Sequence, residues 1–173
     1  MKILALDTSS EACSAALWVE RIGAGVAQGL AFGANLPVVP VSSLAALAQG
    51  VDAPRVLAAF DARMQQVYWG AYARNAQGMV ELVGEEKVLS PAQVPVPDDA
   101  AWVGAGSGWD RYAALLTVRL KNHVSAWRAQ CFPRARFVAQ LGAHLHEKGT
   151  ALPAEQALPV YLRDDVAVKQ VKR

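Results

Sequence analysis

The sequence predicts an α/β protein with two lobes, because a strand–turn–strand pattern occurs twice and helical stretches follow each copy. In the first copy, an apolar strand at residues 3–6 ends at Asp7, and residues 13–18 form a second strand. In the second copy, a strand at residues 56–60 ends at Asp61, and another strand again follows a short polar turn. Strands joined this closely pair as antiparallel hairpins. Self-similarity at this distance indicates a duplicated unit.

The two aspartates mark a candidate ligand cleft. Buried strands deliver both to the end of a sheet, where α/β proteins bind ligands, and between two lobes that end is the cleft. The candidate cleft residues are Asp7, Thr8, Ser9 and Asp61. The alternative is that Asp7 and Asp61 only cap turns.

Composition sets the class of protein. The 173 residues are 53% hydrophobic and 18% charged, as in a globular chain, and the net charge of +2 favours no class of partner. Cys13 and Cys131 are too few for a disulfide framework or a zinc site. The apolar stretch at residues 22–41 does not predict a membrane span, because Pro37 and Pro40 break any helix there. No signal peptide is recognised at the start, so we expect a cytoplasmic protein without a membrane partner.

Residues 21–34 are predicted to form a helix with an unusual surface. Glycine recurs every four residues and therefore lies on one face, where each glycine costs about 1 kcal/mol relative to alanine. Such a face gains by close packing against a neighbour, either the protein's own sheet or a partner chain. The glycines and the apolar residues beside them are Ile22, Gly25, Val26, Gly29, Leu30 and Gly33.

The remaining elements follow from hydrophobic periodicity and turn residues. We predict a buried strand or its approach at residues 37–41, a helix at 44–49 capped by Ser42 or Ser43 and closed by Gly50, and a return strand at 79–83. We also predict a strand running into a glycine-rich turn at 102–108 and a helix at 135–148. The predicted divisions are a first lobe at residues 1–52, a second lobe at 53–158 and a C-terminal segment at 159–173.

A basic stretch in the second half is a candidate contact for nucleic acid. Residues 111–146 contain no acid, and Trp127 and Phe132 lie among the basic residues, a composition suited to phosphate contact and base stacking. The alternative is a solvated basic face. The candidate contacts are Arg119, Lys121, Arg128, Arg134 and Arg136.

Catalytic constellations are missing from the sequence. The three histidines lie in no motif that would support a nucleophile, and no Walker-type phosphate loop or metal site is recognised. Asp7 and Asp61 are placed to hold magnesium over a nucleotide. However, Ala62 and Arg63 follow Asp61 where a phosphotransferase needs glycines or hydroxyls. The residues therefore favour a scaffold over an enzyme.

Four segments in the same order resemble the TsaB family, also called YeaZ, of bacterial tRNA threonylcarbamoyladenosine biosynthesis proteins. They are ILALDTSSEACSAALW, RIGAGVAQGLAFGANLPVVPVSSL, RVLAAFDARMQQVYWGAY and PVYLRDDVA, which are spread along the chain from residue 3 to residue 167. The resemblance implies the actin-like ATPase (sugar kinase and Hsp70) fold, with two lobes each built on a mixed sheet flanked by helices.

The resemblance also implies a role. TsaB is a non-catalytic partner of TsaD, which transfers a threonylcarbamoyl group to adenosine 37 of tRNAs that read codons beginning with A. A TsaE-like ATPase completes the assembly, so ATP and magnesium belong to the partners and the chain itself needs no cofactor. The resemblance further implies that the chain is a homodimer when alone, uses the glycine-striped helix for both contacts, and meets tRNA only indirectly. The runner-up hypothesis is an enzyme, either an ATP-dependent phosphotransferase or a peptidase, that uses its own cleft.

One departure from the family concerns the junction between Glu20 and Arg21. The family carries several tens of residues here, including a segment of the form GRGPGSFTG, whereas in this chain Arg21 follows Glu20 directly. Either the chain is a truncated variant or a segment was omitted from the numbering. We expect a break in the chain at this point.

Overall fold

A single mixed sheet with helices on both faces forms the body of the protein. The computed structural model describes residues 16–160 and residue 162, with side chains from residue 25 onward. The helices are α1 (Ala16–Ala34), α2 (Ser43–Gln49), α3 (Ser107–Leu120) and α4 (Ala135–Glu147). The strands are β1 (Arg55–Asp61), β2 (Val67–Arg74), β3 (Val80–Leu89), β4 (Trp102–Ala105) and β5 (Val124–Arg128).

The order of the strands in the sheet is β3-β2-β1-β4-β5. The pairs β1–β2 and β2–β3 are antiparallel, whereas β4 runs parallel to β1 and β5 runs parallel to β4. The carboxyl ends of β1, β4 and β5 therefore lie at the same edge of the sheet. Because α3 connects two parallel strands, it begins at this edge and ends at the opposite one.

Residues 56–60 of strand β1 are all apolar, and residues 56–59 are buried on both faces of the sheet. Val56 and Ala58 contribute to the core beneath α2 and α4, whereas Leu57 and Ala59 contribute to the core beneath α3. All four residues are completely buried. Since successive side chains of a strand point to opposite faces, a continuous apolar run is what a sheet covered on both sides requires.

Trp109 fixes helix α3 on the sheet. Its indole Nε1 donates a hydrogen bond of 2.8 Å to the carbonyl of Leu57, and its ring lies against Gly104 of β4. A Cβ at Gly104 would stand 2.3 Å from the ring, so only glycine leaves room for the indole. The rings of Trp69 and Trp127 lie 6.3 and 6.4 Å from Trp109, one from β2 and the other from β5. These contacts tie four strands to one helix.

Helix α2 confirms the prediction for residues 44–49. The Ser42 hydroxyl accepts hydrogen bonds from the backbone N–H groups of Leu44 and Ala45, and Gly50 ends the helix. Leu44 and Leu47 are buried in the same core as β1. The predicted lobe boundary after residue 52 stays a prediction.

The hairpin in the second half is confirmed. Strand β1 ends at Asp61 and β2 begins at Val67, as the sequence indicates, although β3 continues to Leu89 instead of ending at residue 83. The amphipathic helix at residues 135–148 is also present as α4. Helix α3 and strand β5 were not predicted. The spacing of Trp109, Leu116 and Leu120, which are all buried on α3, is the helical signal that identifies it.

The first copy of the repeat needs a correction. Residues 16–18, predicted as the end of a strand, belong to helix α1, which passes from Glu20 to Arg21 without a break. The expected omission of a family segment at this junction stays a prediction. Neither proline nor glycine interrupts residues 16–22, so the apolar segment continues as a helix into Arg21. The remainder of the predicted first hairpin lies outside the described residues.

Residues 37–41 do not form the predicted strand. Val38 makes one isolated bridge with Leu152, with reciprocal hydrogen bonds of 2.9 Å. Pro37 and Pro40 on either side lack the N–H donors that a longer ladder needs. Within residues 16–160, no helix is both long enough and apolar enough to cross a membrane.

We expect Gly104→Ala to lower the free energy of unfolding by about 1–3 kcal/mol, because the added methyl group must displace the buried Trp109 ring. Urea denaturation measures the change. Gly142→Ala is the matched control: its Cβ would meet Val41 at an ordinary 3.8 Å, and alanine stabilises a helix interior by up to about 1 kcal/mol. Equal effects of the two substitutions would contradict the described packing of Trp109.

Candidate functional site

Asp61 lies at the carboxyl edge of the sheet, beside the start of α3. Its backbone N–H donates a hydrogen bond of 3.0 Å to the hydroxyl of Ser107, the first residue of that helix. The side chain is only 5% exposed. This edge is where the sequence predicts a cleft, and a cavity of about 320 Å³ is present there. The cavity is lined by Asp61, Arg63, Ser107, Asp110 and Arg111.

Both oxygens of the Asp61 carboxylate already have partners from the chain itself. Oδ2 pairs with the Arg111 guanidinium at 2.9 Å and with that of Arg63 at 3.7 Å. Oδ1 accepts hydrogen bonds from the backbone N–H of Arg63 at 3.0 Å and from the Tyr112 hydroxyl at 3.3 Å. Two guanidinium groups thus supply the positive charge that a metal ion would bring to this carboxylate. To bind magnesium, Asp61 would first have to lose these contacts.

The turn after Asp61 is conformationally strained. Arg63, Met64 and Gln65 have φ angles of 60°, 50° and 59°, in the left-handed region that non-glycine residues rarely adopt. Each such residue costs about 1–2 kcal/mol. The turn brings the Arg63 N–H against the Asp61 carboxylate, so strain and charge pairing occur together at this edge.

The glycine-rich turn at the start of α3 is filled by the protein's own backbone. Gly106 has φ +101°, and a Cβ there would stand 2.3 Å from the carbonyl oxygen of Ala59. A Cβ on Gly108 would stand 2.8 Å from the Cβ of Ala59. These glycines therefore allow β1 and α3 to approach closely. The glycine-rich turn predicted at residues 102–108 is therefore a tight turn that packs against β1.

The described residues around this site do not favour a catalytic nucleophile or a bound metal ion. Within the part of the chain that the structure describes, no three His, Cys, Asp or Glu residues are grouped to hold a metal ion. Burial raises the pKa of the Cys131 thiol and the charge of Asp110 raises it further, although Arg128 and Arg134 oppose the shift. A thiol with a raised pKa is a poor nucleophile at neutral pH. Of the candidate cleft residues, Asp7, Thr8 and Ser9 lie outside the described residues.

A second polar cluster, which the sequence did not reveal, joins α2 to the sheet. The hydroxyls of Ser42 and Tyr72 both donate to one carboxylate oxygen of Glu86. Burial, and next the charge of Glu86, raise the pKa of the Tyr72 phenol far above its ordinary value. The cluster links the N-terminus of α2 to β2 and β3, and its neutral tyrosine and capping serine serve the fold.

Helix α1 presents the glycine stripe to open space. A Cβ at Gly25, Gly29 or Gly33 would meet no atom within 4 Å among the described residues. Large apolar side chains nearby are also exposed, with Val26 at 46% and Leu30 at 54%. The side chain of Ile22 lies outside the described residues.

Contacts between α1 and the rest of the described chain are few. Ala31 is buried, and the Gln28 amide donates to the carbonyl of Ala154 at 3.1 Å. Phe32 and Leu36 are 73% and 59% exposed, and they line a groove of about 510 Å³ beside residues 151–155. The helix therefore keeps a broad apolar surface uncovered.

The predicted basic contacts divide into two groups. Arg119 and Lys121 lie at the end of α3, at the edge opposite Asp61, and Arg119 donates to the carbonyl of Val94 at 2.9 Å. Arg128 ends β5, whereas Arg134 and Arg136 lie at the start of α4. Arg128 and Arg134 both lower the pKa of the Cys131 thiol, which places them around the same side chain. The structure does not bring all five residues together.

We expect Asp61→Asn to lower the free energy of unfolding by about 1–3 kcal/mol, because it removes the charge that two guanidinium groups and a buried hydrogen-bond network share. Chemical denaturation measures the loss. Asp99→Asn is the matched control, since its ion pair with Arg55 is exposed and contributes less than about 1 kcal/mol. A loss at Asp61 no greater than that at Asp99 would show that the network does not hold this edge.

Comparison with known proteins assigns the chain to a family. A family model described as TsaD, tRNA N6-adenosine threonylcarbamoyltransferase, matches residues 21–101. A solved structure described as YeaZ from Pseudomonas aeruginosa superposes with a TM-score of 0.76 at 45% identity, covering 84% of this chain and 68% of that one. A second Pseudomonas aeruginosa structure, described as similar to peptidase YEAZ, gives the same values.

Two curated relatives carry the name tRNA threonylcarbamoyladenosine biosynthesis protein TsaB. The Haemophilus influenzae protein is 34% identical over 165 positions, covering 87% of this chain and 67% of that protein. The Escherichia coli protein is 32% identical over 229 positions, covering 99% of this chain and 98% of that protein. That alignment is longer than the 173 residues of this chain, so the relative has a segment that this chain lacks. The chain belongs to the TsaB (YeaZ) family.

Proposed function

We propose that this chain is a non-catalytic scaffold that binds a TsaD-like protein in the formation of N6-threonylcarbamoyladenosine at position 37 of tRNA. The observation that carries the proposal is the exposed face of α1. It combines three glycines that meet no neighbour among the described residues with exposed Val26 and Leu30. A continuous apolar surface on a folded chain marks a site of protein association.

The chemistry of the cleft supports a scaffold. The Asp61 carboxylate is neutralised by Arg63 and Arg111, and the glycine-rich turn at Gly106 is packed against β1. In this proposal, ATP and magnesium are used by the TsaD-like and TsaE-like partners, and the chain has no cofactor of its own. The tRNA is processed on the assembled complex in the cytoplasm.

We also propose how the described sheet fits into the architecture of the whole chain. The five-stranded sheet with helices on both faces suits one lobe of the actin-like ATPase fold, with the segment before residue 53 contributing to a second lobe. In the absence of its partner, the chain associates with a second copy through the face of α1. The glycines permit close approach of two helix backbones in either assembly.

We expect Leu30→Glu to abolish co-elution with a TsaD-like partner on size exclusion, because a buried charge would replace an apolar contact at the centre of the interface. Val118→Glu is the matched control, since Val118 is 75% exposed on α3, away from α1. The intact mass of the wild-type chain, 18.4 kDa, is recorded in the same run to establish that no segment is added after Glu20. Retention of the complex by Leu30→Glu would refute the α1 interface.

The competing hypothesis is an enzyme that uses its own cleft, and the peptidase named in one structural relative is the observation in its favour. We expect calorimetric titration with ATP and magnesium to show no binding to the isolated chain, because Asp61 is already paired. Tight magnesium-dependent ATP binding that Asp7→Ala abolishes would favour a phosphotransferase instead. Cleavage of a peptide library by the wild-type chain, lost in the same variant, would favour the peptidase.

A further inference from the structure

The surface at the end of β5 and the start of α4 carries positive charge that no acidic side chain of the described residues neutralises, although the Arg136 guanidinium lies 4.4 Å from the centre of the Phe137 ring. It consists of Trp127, Arg128, Phe132, Arg134 and Arg136, and is called here the β5–α4 patch. All five residues are exposed, with 46% of Trp127 and 42% of Phe132 accessible. Among the described residues, none of the three arginines forms an ion pair with an acid.

The positions of two arginines are unfavourable for the helix itself. Arg134 is the N-cap of α4 and Arg136 lies in its first turn, which contains no acidic residue and no side-chain cap. The N-terminus of a helix carries a partial positive charge, so cations there oppose the macrodipole. Because these charges do not stabilise α4, a negatively charged ligand is the better physical reason for their position.

The aromatic part of the patch is held in place. The Trp127 ring stacks on Trp109 with an interplanar angle of 17°, and Trp109 is itself anchored to the backbone of β1. An exposed ring in a fixed orientation is a stacking platform that loses little conformational entropy on binding a base. Since β5 is the last strand of the sheet within the described residues, its outer edge lets a ligand reach Trp127 on one face and Arg128 on the other.

We infer that the β5–α4 patch binds a single-stranded segment of RNA, with a base stacked on Trp127 and phosphates held by the three arginines. Unpaired arginines beside exposed aromatic rings are the chemistry that recognises unstacked RNA, whereas an apolar partner would leave these charges buried and unpaired. The inference rests on the proposed function and deepens it, since it gives the tRNA a direct contact on this chain. Arg119 and Lys121, at the opposite edge, are not part of this contact.

The test uses the purified full chain and a fluorescein-labelled RNA hairpin with a single-stranded loop, followed by anisotropy at several salt concentrations. We expect Arg128→Gln combined with Arg134→Gln to weaken binding about tenfold or more and to reduce the slope of log K against log salt by about 1.4, or 0.7 for each phosphate contact. We expect Trp127→Ala to weaken binding about fivefold or more with the slope unchanged. Phe132→Ala repeats the aromatic test at a ring that does not support Trp109.

Lys87→Gln combined with Lys121→Gln is the matched control, because it removes the same charge from exposed positions outside the patch. An equal loss of affinity in this control would mean nonspecific attraction and would overturn the inference. Absence of hairpin binding by the wild-type chain at low salt would overturn it as well. So would equal binding of a fully double-stranded RNA, which offers no base for stacking.

Co-elution with the TsaD-like partner separates this inference from the proposed function. We expect the patch variants to keep the partner and lose RNA, whereas Leu30→Glu keeps RNA and loses the partner. If the arginine variants instead lost the partner with RNA affinity unchanged, the patch would be a contact for an acidic protein surface, and the RNA inference would be wrong. If none of the variants lost the partner, the result would count against the proposed scaffold role and leave the RNA inference unaffected.

Discussion

The burial of strand β1 on both faces is the constraint on which the structure depends. Its central residues have no contact with solvent, so each face of the sheet requires a cover. Helices α2 and α4 cover one face and α3 covers the other. The same strand delivers Asp61 to the sheet edge, and the close approach of α3 at Gly106 and Gly108 closes that edge. The packing of the core and the position of Asp61 in the candidate cleft therefore both depend on strand β1.

Helix α1 differs from the other helices in what it contributes. The three glycines weaken the helix by about 1 kcal/mol each relative to alanine, and the described chain covers little of its surface in return. A face of this kind contributes to stability only when a second protein buries it. In the proposed function, the stability of α1 and the affinity for the partner are therefore linked through the same set of contacts.

Local patterns predicted much of the fold. The apolar run before Asp61, the cap at Ser42 and the periodicity of α4 were readable because each depends on neighbouring residues. The site depends on residues that are distant in the sequence. Arg111 pairs with Asp61, which lies fifty positions earlier, and no local sequence signal predicts this pair. Residues 16–18 suit a strand or a helix, and only the direct junction of Glu20 with Arg21 favours the helix. Family resemblance indicated the missing segment, but it could not indicate how the shortened chain would fold.

The pairing of Asp61 with Arg111 affects how the carboxyl edge of the sheet responds to its surroundings. A metal ion dissociates when its concentration falls, and a nucleotide leaves after hydrolysis, but a guanidinium is covalently attached and stays protonated at any physiological pH. The Arg111 guanidinium is therefore always available to pair with Asp61. In the proposed function, the contacts of Asp61 with Arg63 and Arg111 need neither magnesium nor ATP. Such an edge would, in the proposed function, hold one shape through every stage of a partner's nucleotide cycle.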